Sequence, residues 1–160
     1  MTPSDYAALD AVGLATAIQK GEFTSREVTE TAIDVIEQLN PRLNAVIMKN
    51  YDNARQAAIV IDPVSPVAGA PFLLKDVNVF SHDMPTTFSC SVFEGAAPKP
   101  DSDIVARWRE AGLVVLGKTN TPEFAEDFVT EPTWRGPTLN PWDTALTVGG
   151  SSGGAGIPMR

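Results

Sequence analysis

Histidine and cysteine are almost absent from this chain: His82 and Cys90 are the only residues of their types among 160. A single imidazole excludes a metal site built on two or three histidines, and a Ser-His-Asp triad would have to use His82 itself. That residue lies in the turn-like segment Phe80-Ser81-His82-Asp83-Met84-Pro85, where an exposed bystander is expected. A single cysteine excludes an internal disulfide, and Cys90, flanked by Ser89 and Ser91, reads as a small buried or half-buried residue. Basic residues are outnumbered, twelve against twenty acidic. The formal charge of −8 would repel phosphate backbones and anionic lipid, so neither nucleic acid nor membrane is an expected partner. No apolar run approaches the roughly 20 residues of a membrane span. Met1-Thr2-Pro3-Ser4-Asp5 has neither the basic nor the apolar region of a secretion signal. These absences predict a soluble, cytoplasmic protein. What is present, 43% apolar residues, suffices for the core of one globular domain.

Periodicity organises that core. Residues 4–20 carry apolar positions compatible with one helix stopped by Gly21. Thr24-Ser25-Arg26-Glu27 fits a capping box, and Val28, Ala32, Ile36 and Leu39 follow at helical spacing; Asn40-Pro41 is expected to end that helix. Leu43 to Met48 reads as a strand, and Tyr51, Ala54, Ala58 and Ile61 mark another helix. A proline-rich loop over 62–71 leads to the apolar strand Phe72-Leu73-Leu74, and residues 81–100 are turn-rich. Ser102 or Asp103 can cap a helix whose Ile104, Trp108 and Ala111 share one face, with Gly112 placed for a left-handed stop. Leu113-Val114-Val115-Leu116 is continuously apolar, as a parallel strand covered on both faces would be. Helix, glycine and buried strand make an α/β unit. Residues 130–148 form a long irregular connection.

Two features could carry chemistry. Lys75 directly follows an apolar strand, so its ammonium emerges at the carboxyl end, where open α/β sheets place their ligands. A desolvated lysine can act as a base near neutral pH; a surface lysine paired with Asp76 or another carboxylate is the plainer alternative. The turn Gly149-Gly150-Ser151-Ser152-Gly153-Gly154 can bring backbone N–H groups to an anion and hold serine hydroxyls in a tight geometry, or it can be a flexible linker. It is not a Walker loop, because no lysine follows the glycines.

Five segments, in order, resemble the amidase signature family: 71–76 (Pro-Phe-Leu-Leu-Lys-Asp), 84–87 (Met-Pro-Thr-Thr), 111–125, 140–143 (Asn-Pro-Trp-Asp) and 149–154. Together they span nearly the whole chain. The resemblance implies an α/β fold with a mixed sheet core covered by helices, residues 1–160 being the N-terminal part of an amidase signature domain, incomplete at the C-terminus. It implies hydrolysis of a small-molecule amide through a serine acyl-enzyme, with no metal and no organic cofactor. Carried over residue by residue, Lys75 is the neutral general base and Ser151 relays the proton through an unusual cis peptide. Ser152 supports the network, and Ala125 lies near the acyl pocket or is simply a small packing residue.

The resemblance also marks what is missing. The family's nucleophilic serine, with its oxyanion donors, stands about two dozen residues beyond the relay serine, past Arg160. The family continues from the turn into an alanine-rich helix, whereas Gly156, Ile157 and Pro158 follow Ala155 here, which reads as a truncated or altered end. Val148 stands where many members have proline. The chain is therefore expected to be inactive alone and to leave strand edges and apolar faces uncovered, inviting self-association or a complementing chain. A non-catalytic binding or assembly protein on the same fold is the alternative. Membership of a glutamine-dependent amidotransferase complex, as its catalytic chain, is a third reading.

Overall fold

The computed structural model describes residues 1–62 and 64–157. Its elements run α1 (Pro3–Ala7), α2 (Ala11–Gln19), α3 (Ser25–Leu43), β1 (Val46–Lys49), α4 (Tyr51–Ile59), β2 (Pro71–Lys75), α5 (Asp103–Glu110) and β3 (Val114–Thr119), with short 3₁₀ turns at Ser91–Phe93, Glu123–Ala125 and Gly154–Gly156. Strand order is β1-β3-β2. β2 runs parallel to β3, and β1 runs antiparallel to it, so the sheet is mixed.

The single helix expected over residues 4–20 is two. Asp10 accepts the N–H of Gly13 at 2.8 Å and caps α2, which breaks the backbone ladder between α1 and α2. A short acidic side chain in mid-pattern competes for backbone donors and starts a new helix instead of continuing the old one.

α3 begins as its sequence demands. Thr24 Oγ1 accepts the Glu27 N–H at 3.1 Å, while Glu27 Oε2 accepts the Thr24 N–H at 2.8 Å. Thr24→Ala should remove this reciprocal cap and cost about 1 kcal/mol of unfolding free energy, read as a shifted urea midpoint with unchanged slope. The helix does not stop at Asn40-Pro41 as the proline suggests. It continues to Leu43, and Asn44, at φ 51°, ends it in the left-handed conformation with its N–H on the Asn40 carbonyl at 2.8 Å. Tertiary contacts outweigh the proline here. Leu43 is buried against Ala45 and Ile157, and Asn40 Oδ1 accepts the N–H groups of Ala45 and Val46 at 2.9 and 2.7 Å, launching β1 from the helix end.

β3 is the spine, buried at all six positions. On one face α3 and α4 pack Ala32, Ile33, Ile36, Ala54 and Ala58 against Val46, Val114 and Leu116. On the other, Leu74, Met84, Val105 and Val115 form a second cluster, closed by the rings of Phe72 and Trp108, 5.0 Å apart. α5 therefore turns Val105 inward, and Ile104, expected on the buried face, is 44% exposed. Both residues lie on a helical stripe with Trp108; seating its ring on Phe72 selects the stripe three residues back rather than four. Gly117 has no room for a side chain, because a Cβ there would collide with the Met48 carbonyl of β1. The described sheet leaves one edge of β1 and one of β2 without a strand neighbour.

Candidate active site

Lys75 is the last residue of β2, registered against Thr119 of β3. Strand alternation puts Lys75 on one side of the sheet and Asp76 on the other. The alternative pairing of Lys75 with Asp76 does not form. The Asp76 carboxylate is fully buried 3.7 Å from the Nζ of Lys118. Lys75 instead donates to Ser151 Oγ at 2.8 Å and to Ser152 Oγ at 2.9 Å. Its surroundings are partly dry, and that burial pulls its pKa below the ordinary lysine value.

The glycine-serine turn is anchored and is not a linker. The peptide between Gly150 and Ser151 is cis. Thr121 Oγ1 donates to the Ser151 carbonyl at 2.9 Å, and Thr130 Oγ1 donates to the Gly149 carbonyl at 2.9 Å while accepting the Gly153 N–H at 3.0 Å. Gly154 is buried with its N–H on the Asn120 carbonyl at 3.3 Å. The glycines are needed for this close approach. A Cβ on Gly154 would lie 2.5 Å from the Asn120 nitrogen and 2.7 Å from the Ala45 oxygen. The turn passes into a single 3₁₀ turn, and Ile157 is buried against Leu43 and Ala45. The expected disruption at Pro158 lies outside the described residues.

Of the residues singled out in sequence, the fold brings Lys75, Ser151 and Ser152 into direct contact. Ala125 is half-buried in a 3₁₀ turn at φ 60°, beside a cluster in which the Phe124 ring stacks on Phe88 at 5.5 Å and meets Phe93 edge-on at 6.0 Å. His82 is exposed, with Nδ1 3.0 Å from Asp101. Cys90 is half-buried and free. Sequence reasoning does not single out Thr121, Thr130 or Asn120 as site residues. It also misses the buried pair Asp76–Lys118, although a lysine inside an otherwise uncharged apolar strand is a signal that could find it. Burial pushes the Lys118 pKa down to about 8, against the pull of Asp76. Among the described residues no group of three or more His, Cys, Asp or Glu side chains is placed to hold a metal ion. No helix there is long and apolar enough to cross a membrane.

Chemically, a lysine whose pKa is lowered by burial and which touches two serine hydroxyls can draw a proton along a hydrogen-bonded chain without imidazole. The Amidase family model matches residues 27–157. The chain is 40% identical over 152 residues to 6-aminohexanoate-cyclic-dimer hydrolase of Paenarthrobacter ureafaciens, covering 94% of this chain and 30% of that protein. It is 42% identical over 164 residues to the A subunit of glutamyl-tRNA(Gln) amidotransferase of Corynebacterium diphtheriae, covering 98% and 33%. The solved structure of 6-aminohexanoate cyclic dimer hydrolase superposes with a TM-score of 0.88 at 39% identity, over 92% of this chain and 31% of that one. A bacterial aryl acylamidase superposes at 0.86 and 33% identity, over 92% and 32%. The chain thus spans about a third of the length of these relatives.

Proposed function

The chain belongs to the amidase family, and from that premise we propose that it carries the base-and-relay half of a serine amide hydrolase, cleaving an amide C–N bond through an acyl-enzyme. Lys75 is the general base, Ser151 relays the proton, Ser152 braces the pair and Ala125 borders the acyl group. The observation that carries the reading is the contact of Lys75 Nζ with both serine hydroxyls, at 2.8 and 2.9 Å, in partly dry surroundings. We place the attacking serine and the oxyanion donors outside these 160 residues, in keeping with the share of each relative that the chain covers. The substrate is a small amide, no metal or organic cofactor takes part, and the protein works in the cytoplasm. The partner is the remaining part of an amidase fold, continuous with the chain or complementing it.

The test is hydrolysis of a panel of linear and cyclic amides by this chain alone and mixed with the C-terminal two-thirds of the Paenarthrobacter relative, with Ser151→Ala as control. Turnover only in the mixture, lost in Ser151→Ala, supports the proposal. Turnover that survives Ser151→Ala overturns the mechanism. Amide binding without turnover in every mixture favours the non-catalytic reading.

The rate should also follow the Lys75 proton. The neutral amine is the active form, so activity should fall about tenfold per pH unit below the lysine's midpoint and level off above it. Because burial lowers that midpoint, the plateau should begin at a lower pH than an ordinary lysine would give. A pH–kcat/KM profile checks this.

A further inference from the structure

The strand ends that carry Lys75 hold a second buried charge that the chemistry above does not use. Asp76 accepts the N–H groups of Thr87 and Ser89 at 2.9 and 3.1 Å and the Thr87 hydroxyl at 2.5 Å. Lys118 lies beside it and donates to Thr86 Oγ1 and to the Val79 carbonyl. The attraction of Asp83 also reaches Lys118. Both members of the pair are at 0% exposure, so removing either leaves a buried charge uncompensated.

The pair grips a loop in a demanding conformation. Phe88 and Ser89 adopt φ of 53° and 48°, a region that disfavours residues with a Cβ. Asp76 holds that loop on either side, through Thr87 and Ser89. From there a polar path continues to the turn. Ser89 Oγ donates to Asn120 Oδ1 at 3.2 Å, and the Asn120 carbonyl receives the Gly154 N–H at 3.3 Å. In the other direction Asp76 is one peptide bond from Lys75, and its N–H donates to the Thr119 carbonyl at 3.2 Å, closing the ladder just past the lysine.

We propose that Asp76 is a positioning residue: paired with Lys118 on the far face of the sheet, it fixes both the strand end that presents Lys75 and the loop-to-Asn120 path that holds Ser151 opposite. The inference rests on the reading of Lys75 as the base. The groups meeting Lys75 from the neighbouring elements, Thr119 of β3 and Ser151 and Ser152 of the turn, are uncharged, and Asp76 is the nearest charged group in sequence.

The ionisation of Lys75 can be read without turnover. Competitive acetylation with acetic anhydride across a pH series, quantified by mass spectrometry, compares Lys75 with Lys20, whose side chain is 63% exposed. In the unsubstituted chain Lys75 should titrate below Lys20. In Asp76→Asn, at a temperature where circular dichroism shows the fold intact, its midpoint should rise toward that of Lys20, as the lysine swings into water. Loss of a neighbouring carboxylate charge alone would move it down, so a rise reports position. Thr87→Val, which removes one donor and no charge, should shift it the same way by less, and this variant decides the matter if Asp76→Asn does not fold. An unchanged or lower Lys75 midpoint in folded variants that melt earlier overturns the proposal and leaves an ion pair that only stabilises. A midpoint equal to that of Lys20 in the unsubstituted chain overturns it together with the base reading.

Discussion

Lys75→Ala is expected to abolish amide hydrolysis by the complemented protein, lowering kcat/KM by about 10⁴-fold. The lysine touches both serine hydroxyls, at 2.8 and 2.9 Å, through a nitrogen that can release and accept a proton. His82, the sole imidazole, is at an exposed turn paired with Asp101 and takes no part in this cluster. Lys75→Met keeps the stem's bulk and should lose activity to the same degree while leaving the melting temperature unchanged or raised, since it removes a partly desolvated charge. A Lys75→Met variant that retains even a tenth of the activity would show that the proton leaves by another route.

Gly154→Ala should be the most damaging substitution of a single methyl group in the turn. Its Cβ would face backbone on two sides, 2.5 Å and 2.8 Å from the Asn120 nitrogen and oxygen and 2.7 Å from the Ala45 oxygen, and none of these can rotate away. Relief requires the turn to lift from the end of β3, at a cost of roughly 2–3 kcal/mol. Because Ser151 and Ser152 ride on that turn, Lys75 should lose both partners, and activity should fall with stability. Gly156→Ala is the control: a Cβ there meets nothing within 4 Å, so urea midpoint and activity should stay close to those of the unsubstituted chain. Equal effects at the two positions would mean that the turn is not pressed against the strand as described.

Much of the fold is legible in the sequence for a physical reason. Capping boxes, apolar spacing and the glycine-serine turn are local, and local signals survive in a linear string: α3 starts after Thr24, and Gly112 stands at φ 85° after α5. Expectation and structure part where a distant contact overrides a local preference. Asn40 and Leu43 carry α3 through Pro41 because β1 and Ile157 need them there. The Phe72 ring turns α5 by one position, so that Val105 and not Ile104 is buried.

The candidate site divides along the same line. Sequence alone determined the family and the α/β character, and it marked Lys75, Ser151 and Ser152 as candidates, because each follows from residue types in a fixed order along the chain. Only the tertiary structure decided which lysine serves which carboxylate. Strand alternation parts Lys75 from its neighbour Asp76, and the parallel pairing of β2 with β3 gives Asp76 to Lys118, leaving Lys75 for the serines. That choice depends on register between segments far apart in sequence, which neither segment encodes by itself.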